Sequence, residues 1–175
     1  MAVPVQEEIM FNIVLLEPEM PANTGNIGRT CCAAGAKLHL IEPMGFRVND
    51  KMVKRAGLDY WNDLDVQIYD CYSDFLLKNP AAAEKMYMAT TKSRQDYTEV
   101  NYEPGSYIMF GKESAGIPEE ILVNSKETAI RIPMNQNIRS LNLSNSVAIV
   151  LYEALRQNNF IGMQMKGELH RLGWD

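Results

Sequence analysis

The chain has 175 residues, of which 46% are apolar, and a formal net charge of −5. This length and apolar content predict a single domain over residues 1–175, with residues 1–10 as an N-terminal extension and residues 161–175 as a C-terminal tail. The longest uncharged apolar runs fall far short of the roughly 20 residues that span a bilayer, which argues against a membrane protein. The acidic balance argues against general nucleic-acid binding, because phosphate neutralisation requires clustered Lys and Arg.

Short apolar runs alternate with segments that can form helices. Strand-like runs occur at residues 11–17, 38–41, 66–69, 86–90, 107–110 and 129–132. This alternation predicts βαβ units, and therefore an α/β fold with a mostly parallel sheet and helices on both faces. The last helix is the clearest, since an apolar stripe from Leu143 to Leu155 repeats with helical spacing and ends near Asn158. Asn142, Asn145 and Ser146 form a polar patch on its first turns.

Three polar loops follow predicted strands, and the first two contain glycine. They are residues 23–29 (NTGNIGR), residues 110–116 (FGKESAG) and residues 132–146, which run from IPM into RSLNLSNS. Loops at the carboxyl ends of parallel strands line a common crevice in an open α/β sheet. We therefore expect the three loops to build one small-molecule site.

The first of these loops is similar to a dinucleotide-binding turn but lacks one of its glycines. The fingerprint is G-x-G-x-x-G, whereas this loop supplies only Gly25 and Gly28 with two residues between them, although Glu42 stands where a ribose-binding acid would. A loop-to-helix turn with Arg29 in its first helical turn still suits an anion.

Metal ligands and nucleophiles are scarce in this sequence. His39 and His170 have no partner at ligand spacing, so both are expected to be structural and no metal site is predicted. Ser140, Ser144 and Ser146 are most simply helix-capping or locally bonded hydroxyls. Any reaction is therefore expected to be a direct transfer between two bound substrates, without a metal or a covalent intermediate.

Basic residues are concentrated in one stretch of the chain. Residues 29–55 contain six basic and two acidic residues, so this stretch carries +4 and the remainder −9. Such a patch suits a selective polyanion partner, although on charge alone a solvated helix face is the simpler explanation. Within it, Lys51, Lys54 and Arg55, followed by Tyr60 and Trp61, suit phosphate contact and base stacking.

Two features favour a cytoplasmic protein. The first ten residues contain two Glu and no Lys or Arg, so they lack the basic start of a secretory signal. Cys31, Cys32 and Cys71 form neither a CxxC pair nor an even disulfide framework. We expect all three to be small buried residues in a reducing compartment.

Taken in order, the three loops resemble the motifs of the SPOUT class of S-adenosylmethionine-dependent RNA methyltransferases. Within that class the chain is most similar to enzymes that methylate the ribose 2′-oxygen of the tRNA wobble nucleotide, through EPE at 17–19, IEPMGF at 41–46, RAGLDY at 55–60 and YEA at 152–154. The resemblance covers roughly residues 11–160 and implies a C-terminal trefoil knot, a rare exception among folds. It also implies a homodimer whose two subunits build the RNA site, acting on cytidine or modified uridine 34 of leucine tRNA isoacceptors.

The resemblance implies the site residues as well. Backbone groups of the knot loops hold the cofactor in this class, and the positions of this chain that match its cofactor-binding residues are Ala89, Gly111, Glu113, Ile132, Ser140 and Leu141. The candidate RNA-binding residues are Arg29, Lys51, Lys54 and Arg55.

Arg29 and Tyr152 are the candidate catalytic residues. The Arg29 guanidinium stays charged, so we expect it to hold an RNA phosphate and stabilise negative charge on the attacking 2′-oxygen rather than to act as a base. Tyr152 matches a class residue implicated in the reaction or in RNA binding, and its helical position also suits a dimer interface.

Two alternatives stay open at this point. A Rossmann-type nicotinamide oxidoreductase fits the strand-loop-helix pattern, although the missing glycine argues against it. A non-catalytic, RNA-binding relative of the same class fits all the motifs without any methyl transfer.

Overall fold

A computed structural model describes residues 11–48, 61 and 63–174 of the chain. Within these residues it contains six strands and five helices. In chain order they are β1 (Asn12–Leu16), α1 (Pro21–Ala34), β2 (Lys37–Ile41), β3 (Val66–Tyr69), α2 (Tyr72–Lys78), α3 (Ala82–Lys85), β4 (Met86–Ala89), β5 (Tyr107–Phe110), α4 (Glu119–Leu122), β6 (Ala129–Ile130) and α5 (Leu143–Gln157). Each predicted strand-like run overlaps one of these strands.

The strands form a single sheet in the order β3-β2-β1-β5-β4-β6. All of its pairs of neighbouring strands are parallel, with Asn12 of β1 opposite Lys37 of β2 and Tyr107 of β5. The chain leaves β1 toward one edge and later returns to fill the opposite side with β5, β4 and β6. The carboxyl ends of β1 and β5 therefore border a topological switch point, where α/β proteins place their ligand sites.

Helices cover both faces of the sheet, as the alternation in the sequence predicted. Successive side chains of β1 point to opposite faces, so Ile13 joins a core cluster with α1 and α5, while Val14 joins a second cluster with α2 and α3. β1 is buried along its whole length. Such continuous burial is typical of a central strand in a parallel sheet.

Residues 23–29 are helical, so the prediction of a loop there, with Arg29 in the first turn of a helix, is wrong. They lie inside α1, which begins at Pro21, and Arg29 is the ninth residue of that helix. Pro is favoured at the first helical position, and packing then outweighs the roughly 1 kcal/mol helix penalty of each glycine. At Gly28 an added Cβ would lie 3.0 Å from the Trp61 ring and 3.1 Å from Leu64, so the glycine permits close packing.

Helix α5 ends at Gln157, close to the predicted end near Asn158, and Asn142 caps its start. The Asn142 side chain accepts hydrogen bonds from the backbone amides of Ser144 and Asn145 at 2.9 and 3.3 Å. The hydroxyls of Ser144 and Ser146 bond locally to Asn142, as predicted. At the other end, Gln157 and Asn158 bond to the backbone of the loop between β4 and β5.

His39 is a buried structural residue, as predicted from its place on an apolar strand. Its Nδ1 lies 2.7 Å from the Tyr69 hydroxyl and its Nε2 lies 3.1 Å from Oδ1 of Asn12. Asn79 donates to the same Tyr69 hydroxyl at 3.0 Å. Burial, with a smaller contribution from the positive charge of Lys37, lowers the pKa of His39 to about 4.

This network predicts a loss of stability in mild acid. The pKa of His39 is depressed in the folded protein, so the unfolded chain takes up the proton first as pH falls from 6.5 toward 4. The free energy of unfolding should then fall by up to about 3 kcal/mol more in the wild type than in His39→Gln. Urea titrations of both proteins at several pH values measure the difference. If the free energy of unfolding depends on pH equally in both proteins, His39 is not held neutral in the folded state.

The cysteines differ in exposure. Cys31 is buried, and burial raises the pKa of its thiol to about 12, whereas Cys32 is half-buried. Cys71 is exposed at the start of α2, so the expectation that all three are buried is wrong for this residue. It directly precedes the short helix α2, where a small side chain can remain exposed to solvent. Among the described residues, no helix has the length and apolar character needed to cross a membrane.

Candidate active site

A cavity of about 500 Å³ opens at the carboxyl ends of β4, β5 and β6. This size is within the range of pockets that bind cofactors. Its wall combines the loops after these strands with the starts of α1 and α5, and it contains Met20, Asn23, Ala89, Thr90, Thr91, Lys92, Tyr97, Phe110, Gly111, Lys112, Glu113, Ser114, Ala115, Gly116, Ile130, Ile132, Met134, Arg139, Ser140, Leu141, Asn142, Leu143, Ser146 and Val150. The three polar segments of the sequence thus do meet at one site, although the first of them does so from a helix.

All six residues predicted to bind a cofactor line this cavity. Ala89 ends β4, Gly111 and Glu113 follow β5, and Ile132, Ser140 and Leu141 belong to the segment between β6 and α5. Residues that are up to 52 positions apart in sequence are therefore brought to one surface. Their contact with a cofactor stays a prediction.

Gly111 is required by the folding of its own loop. An added Cβ there would overlap the carbonyl carbon of Gly116 and the amide nitrogen of Ile117. The loop turns back on itself, with the Gly116 amide donating to the carbonyl of Lys112 at 2.8 Å. Gly116 has a φ of 71°, which favours glycine. The close backbone approach predicted at Gly111 thus occurs within the protein.

A set of polar contacts joins this loop to the segment between β1 and α1. Lys112 forms an ion pair with Glu17 at 2.8 Å, and the Glu19 carboxylate accepts from the amide and hydroxyl of Ser114, both at 2.8 Å. These bonds from Ser114 lower the pKa of Glu19, and the bond to Glu17 raises the pKa of Lys112. Charge-assisted bonds of this kind fix the two loops against each other across the crevice.

Glu113 faces the cavity, but its carboxylate is already engaged by α1. One oxygen accepts from the Glu19 amide at 2.9 Å, and the other accepts from the Met20 amide at 3.2 Å and the Asn23 side chain at 3.0 Å. Asn23 and Asn142 are site residues to which the sequence assigned no role. Their place in the polar segments after the predicted strands is the signal that could have found them.

Two exposed basic residues, Lys92 and Arg139, belong to the cavity wall. Lys92 forms an exposed ion pair with Glu119 at 3.1 Å, and Arg139 forms no ion pair with any other described residue. Inside, Ile130, Ile132 and Val150 supply apolar surface. A wall that combines apolar surface with basic residues suits a ligand with an apolar part and an anionic partner. Among the described residues, no group of three or more His, Cys, Asp or Glu could hold a metal ion.

The sequence as a whole matches a known family. A model of the SpoU rRNA methylase family matches residues 10–152. The chain belongs to that family. The expected resemblance to SPOUT-class methyltransferases is thereby confirmed, and the α/β sheet agrees with it. The trefoil knot is implied by this membership.

Individual relatives are similar over most of their length. The tRNA (cytidine(34)-2′-O)-methyltransferase of Photorhabdus asymbiotica is 45% identical over 161 residues, covering 90% of this chain and 99% of the relative. A solved structure that addresses 2-OH methylation of C/U34 on tRNA has a TM-score of 0.80 and 39% identity, covering 86% and 97% of the two chains. The AdoMet-bound rRNA methyltransferase of Sinorhizobium meliloti has a TM-score of 0.73 and 27% identity, covering 86% of this chain and 57% of its own.

The two predicted catalytic residues of this SpoU-family chain do not line the cavity within the single subunit. Arg29 is exposed in the third turn of α1, and Tyr152 is exposed on α5. Their roles stay predictions. The predicted RNA-binding residues Lys51, Lys54 and Arg55 lie outside the described residues.

Proposed function

We propose that this protein transfers the methyl group of S-adenosylmethionine to the ribose 2′-hydroxyl of nucleotide 34 of tRNA. Cytidine or modified uridine is the base at that position, and leucine isoacceptors are the substrates. The observation that carries the proposal is the cavity, which gathers all six predicted cofactor residues at the carboxyl ends of β4, β5 and β6. The relatives named for cytidine 34 methylation support the choice of substrate.

The cavity fits an adenosyl cofactor in both size and lining. Ile132 and Leu141 offer apolar surface to flank an adenine, while the backbone around Ala89, Gly111 and Ser140 offers donors and acceptors. When bound, S-adenosylmethionine supplies a methyl group on a positively charged sulfur. No metal is needed for such a transfer, because orientation of the two reactants supplies much of the rate.

Arg29 is proposed to act on the RNA side of the reaction. The 2′-oxygen forms a bond to the methyl carbon, the bond from that carbon to sulfur breaks, and the hydroxyl proton leaves to solvent. A guanidinium beside the 2′-oxygen stabilises the negative charge that develops there and holds a neighbouring phosphate. Tyr152 is proposed either to contact the RNA or to pack at the dimer interface.

A dimer would bring these residues to a cavity that they do not reach within one subunit. One side of α5 exposes Asn145, Ile149, Tyr152 and Arg156, which are spaced by four, three and four residues along one stripe. Ile149 and Tyr152 are 36% and 40% exposed despite their apolar surface. We propose that this stripe packs against a second subunit, so that basic residues of one copy face the cavity of the other. Such an enzyme would act on tRNA in the cytoplasm.

The dimer is tested by placing a charge on this stripe. Ile149→Asp is expected to convert a dimer into a monomer and to lower tRNA methylation at least tenfold, because a buried unpaired carboxylate is costly. Val123→Asp, at another exposed apolar position, is the control and should remain dimeric. Sedimentation velocity measures both, and a wild-type monomer or a dimeric Ile149→Asp would contradict the proposal.

The activity itself is tested with purified protein, bulk tRNA and methyl-labelled S-adenosylmethionine. Labelled tRNA together with cofactor binding by calorimetry is the expected result. Binding of a nicotinamide dinucleotide without S-adenosylmethionine would favour the oxidoreductase. Cofactor binding with no transfer to any competent tRNA would favour the non-catalytic relative.

A further inference from the structure

Three side chains form a continuous hydrogen-bonded chain between the cavity wall and two helices. The Asn23 amide donates to Glu113 at 3.0 Å, and the Asn142 amide donates to Asn23 at 3.1 Å. Glu113 belongs to the loop after β5, Asn23 to the first turn of α1, and Asn142 is the cap of α5. Asn23 is only 5% exposed, whereas Glu113 is half-buried and Asn142 is exposed, so the two bonds are partly shielded from water.

The donor and acceptor groups of these hydrogen bonds are assigned independently from each end of the series. Oδ1 of Asn142 accepts from two backbone amides at the start of α5, so its NH₂ group must face Asn23. At the other end the Glu113 carboxylate can only accept, so the NH₂ group of Asn23 must face it. The two constraints agree, and a single orientation of each amide satisfies every group.

We infer that Glu113, Asn23 and Asn142 form a directional relay that positions α1 and α5 against the cofactor loop. Glu113 is then a positioning residue rather than a ligand of the cofactor, because its two oxygens already accept three hydrogen bonds from Glu19, Met20 and Asn23. The inference rests on the proposed function, since the residue positioned for the reaction is Arg29. Arg29 follows Asn23 by six residues in the same helix, about 9 Å along its axis.

The direction of the relay makes an unusual rescue possible. In Glu113→Gln, one carboxylate oxygen becomes an NH₂ group. This group would face either the NH₂ group of Asn23 or a backbone amide that now donates to Glu113, and two donors cannot form a hydrogen bond. Asn23→Asp would set a second carboxylate about 3 Å from Glu113. In the double variant the acceptor-only group moves to position 23, where it accepts from both the new side-chain amide at position 113 and Asn142. The hydrogen bonds among the three side chains are then complete again, although the backbone amide of Met20 faces an NH₂ group instead of the oxygen that accepts from it in the wild type.

The relay therefore predicts that two harmful substitutions compensate each other. Each single variant should lower the methylation rate at saturating cofactor and tRNA by roughly tenfold or more, and the double variant should recover to within about threefold of the wild type. The loss of methylation rate in Asn23→Asp should be smaller at pH 6 than at pH 8, because two adjacent carboxylates share a proton as the pH falls. Helix propensity cannot explain its loss, since Asp is favourable in a first turn.

Melting temperature and cofactor affinity, measured on the same four proteins, keep the test independent of the RNA reaction. If no tRNA is methylated by the wild type, the proposed function fails, while compensation in melting temperature still supports the relay. Additive losses in the double variant, in rate and in melting temperature alike, would overturn the inference. Glu120→Gln, exposed on α4, is the matched control and should change neither quantity.

Discussion

Arg29→Ala is expected to lower the rate of methyl transfer to tRNA by about two to three orders of magnitude. The guanidinium is the fixed positive charge proposed to meet the 2′-oxygen as it becomes negative, and no neutral side chain replaces that stabilisation. Because Arg29 is proposed to contact the RNA rather than the cofactor, the dissociation constant for S-adenosylmethionine should change less than about threefold, a change below about 0.7 kcal/mol. Single-turnover transfer and calorimetry on the same preparation separate the two effects.

Lys85→Ala is the matched control for charge. Lys85 is exposed immediately before β4, at the opposite edge of the sheet from the cavity, and its loss removes one positive charge from the same acidic protein. Its transfer rate should stay within about twofold of the wild type at physiological salt. If Arg29→Ala retained more than a tenth of the wild-type rate, Arg29 would not stabilise the transition state.

Gly111→Ala is expected to damage the cavity wall and the stability of the protein together. The new methyl group would overlap the backbone of Gly116 and Ile117, neither of which can rotate away as a side chain does. We expect a loss of at least about 2 kcal/mol in the free energy of unfolding. Opening of the loop should also weaken binding of S-adenosylmethionine at least tenfold. Chemical denaturation and calorimetry measure the two quantities.

Gly167→Ala makes the same chemical change where an added Cβ would meet nothing within 4 Å. It should leave both stability and cofactor binding within experimental error of the wild type. A Gly111→Ala protein as stable as this control would show that the loop tolerates another conformation.

Hydrophobic patterning was sufficient to predict the sheet. A continuously apolar strand such as β1 is stable only when both of its faces are buried. A parallel sheet covered by helices on both sides provides this burial. The stripe of α5 defined its length to within a residue or two. The family motifs then selected six residues of the cavity wall, which periodicity alone would not have distinguished from core.

The helical conformation of Gly25 and Gly28 was not predictable from their own propensities, although Pro21 is a local signal for a helix start. Gly25 and Gly28 read as a turn because their helix propensity is poor, and only packing against Trp61 and Leu64, distant in sequence, makes the helical conformation favourable at Gly28. The exposed Cys71 was missed for a similar reason, since cysteine spacing carries no information on burial at a helix start. The relay of Glu113, Asn23 and Asn142 depends on side-chain directions across 119 residues, which a sequence does not display.

The central claim is that the methyl group goes to the ribose of nucleotide 34. It is tested most directly with two preparations of leucine tRNA that carry the same base modifications and differ only at that sugar, ribose in one and 2′-deoxyribose in the other. We predict label in the first alone, recovered after alkali as a resistant dinucleotide of positions 34 and 35, because a methylated 2′-oxygen cannot attack its phosphate. Equal labelling of the two tRNAs, or label confined to mononucleotides, would contradict the account.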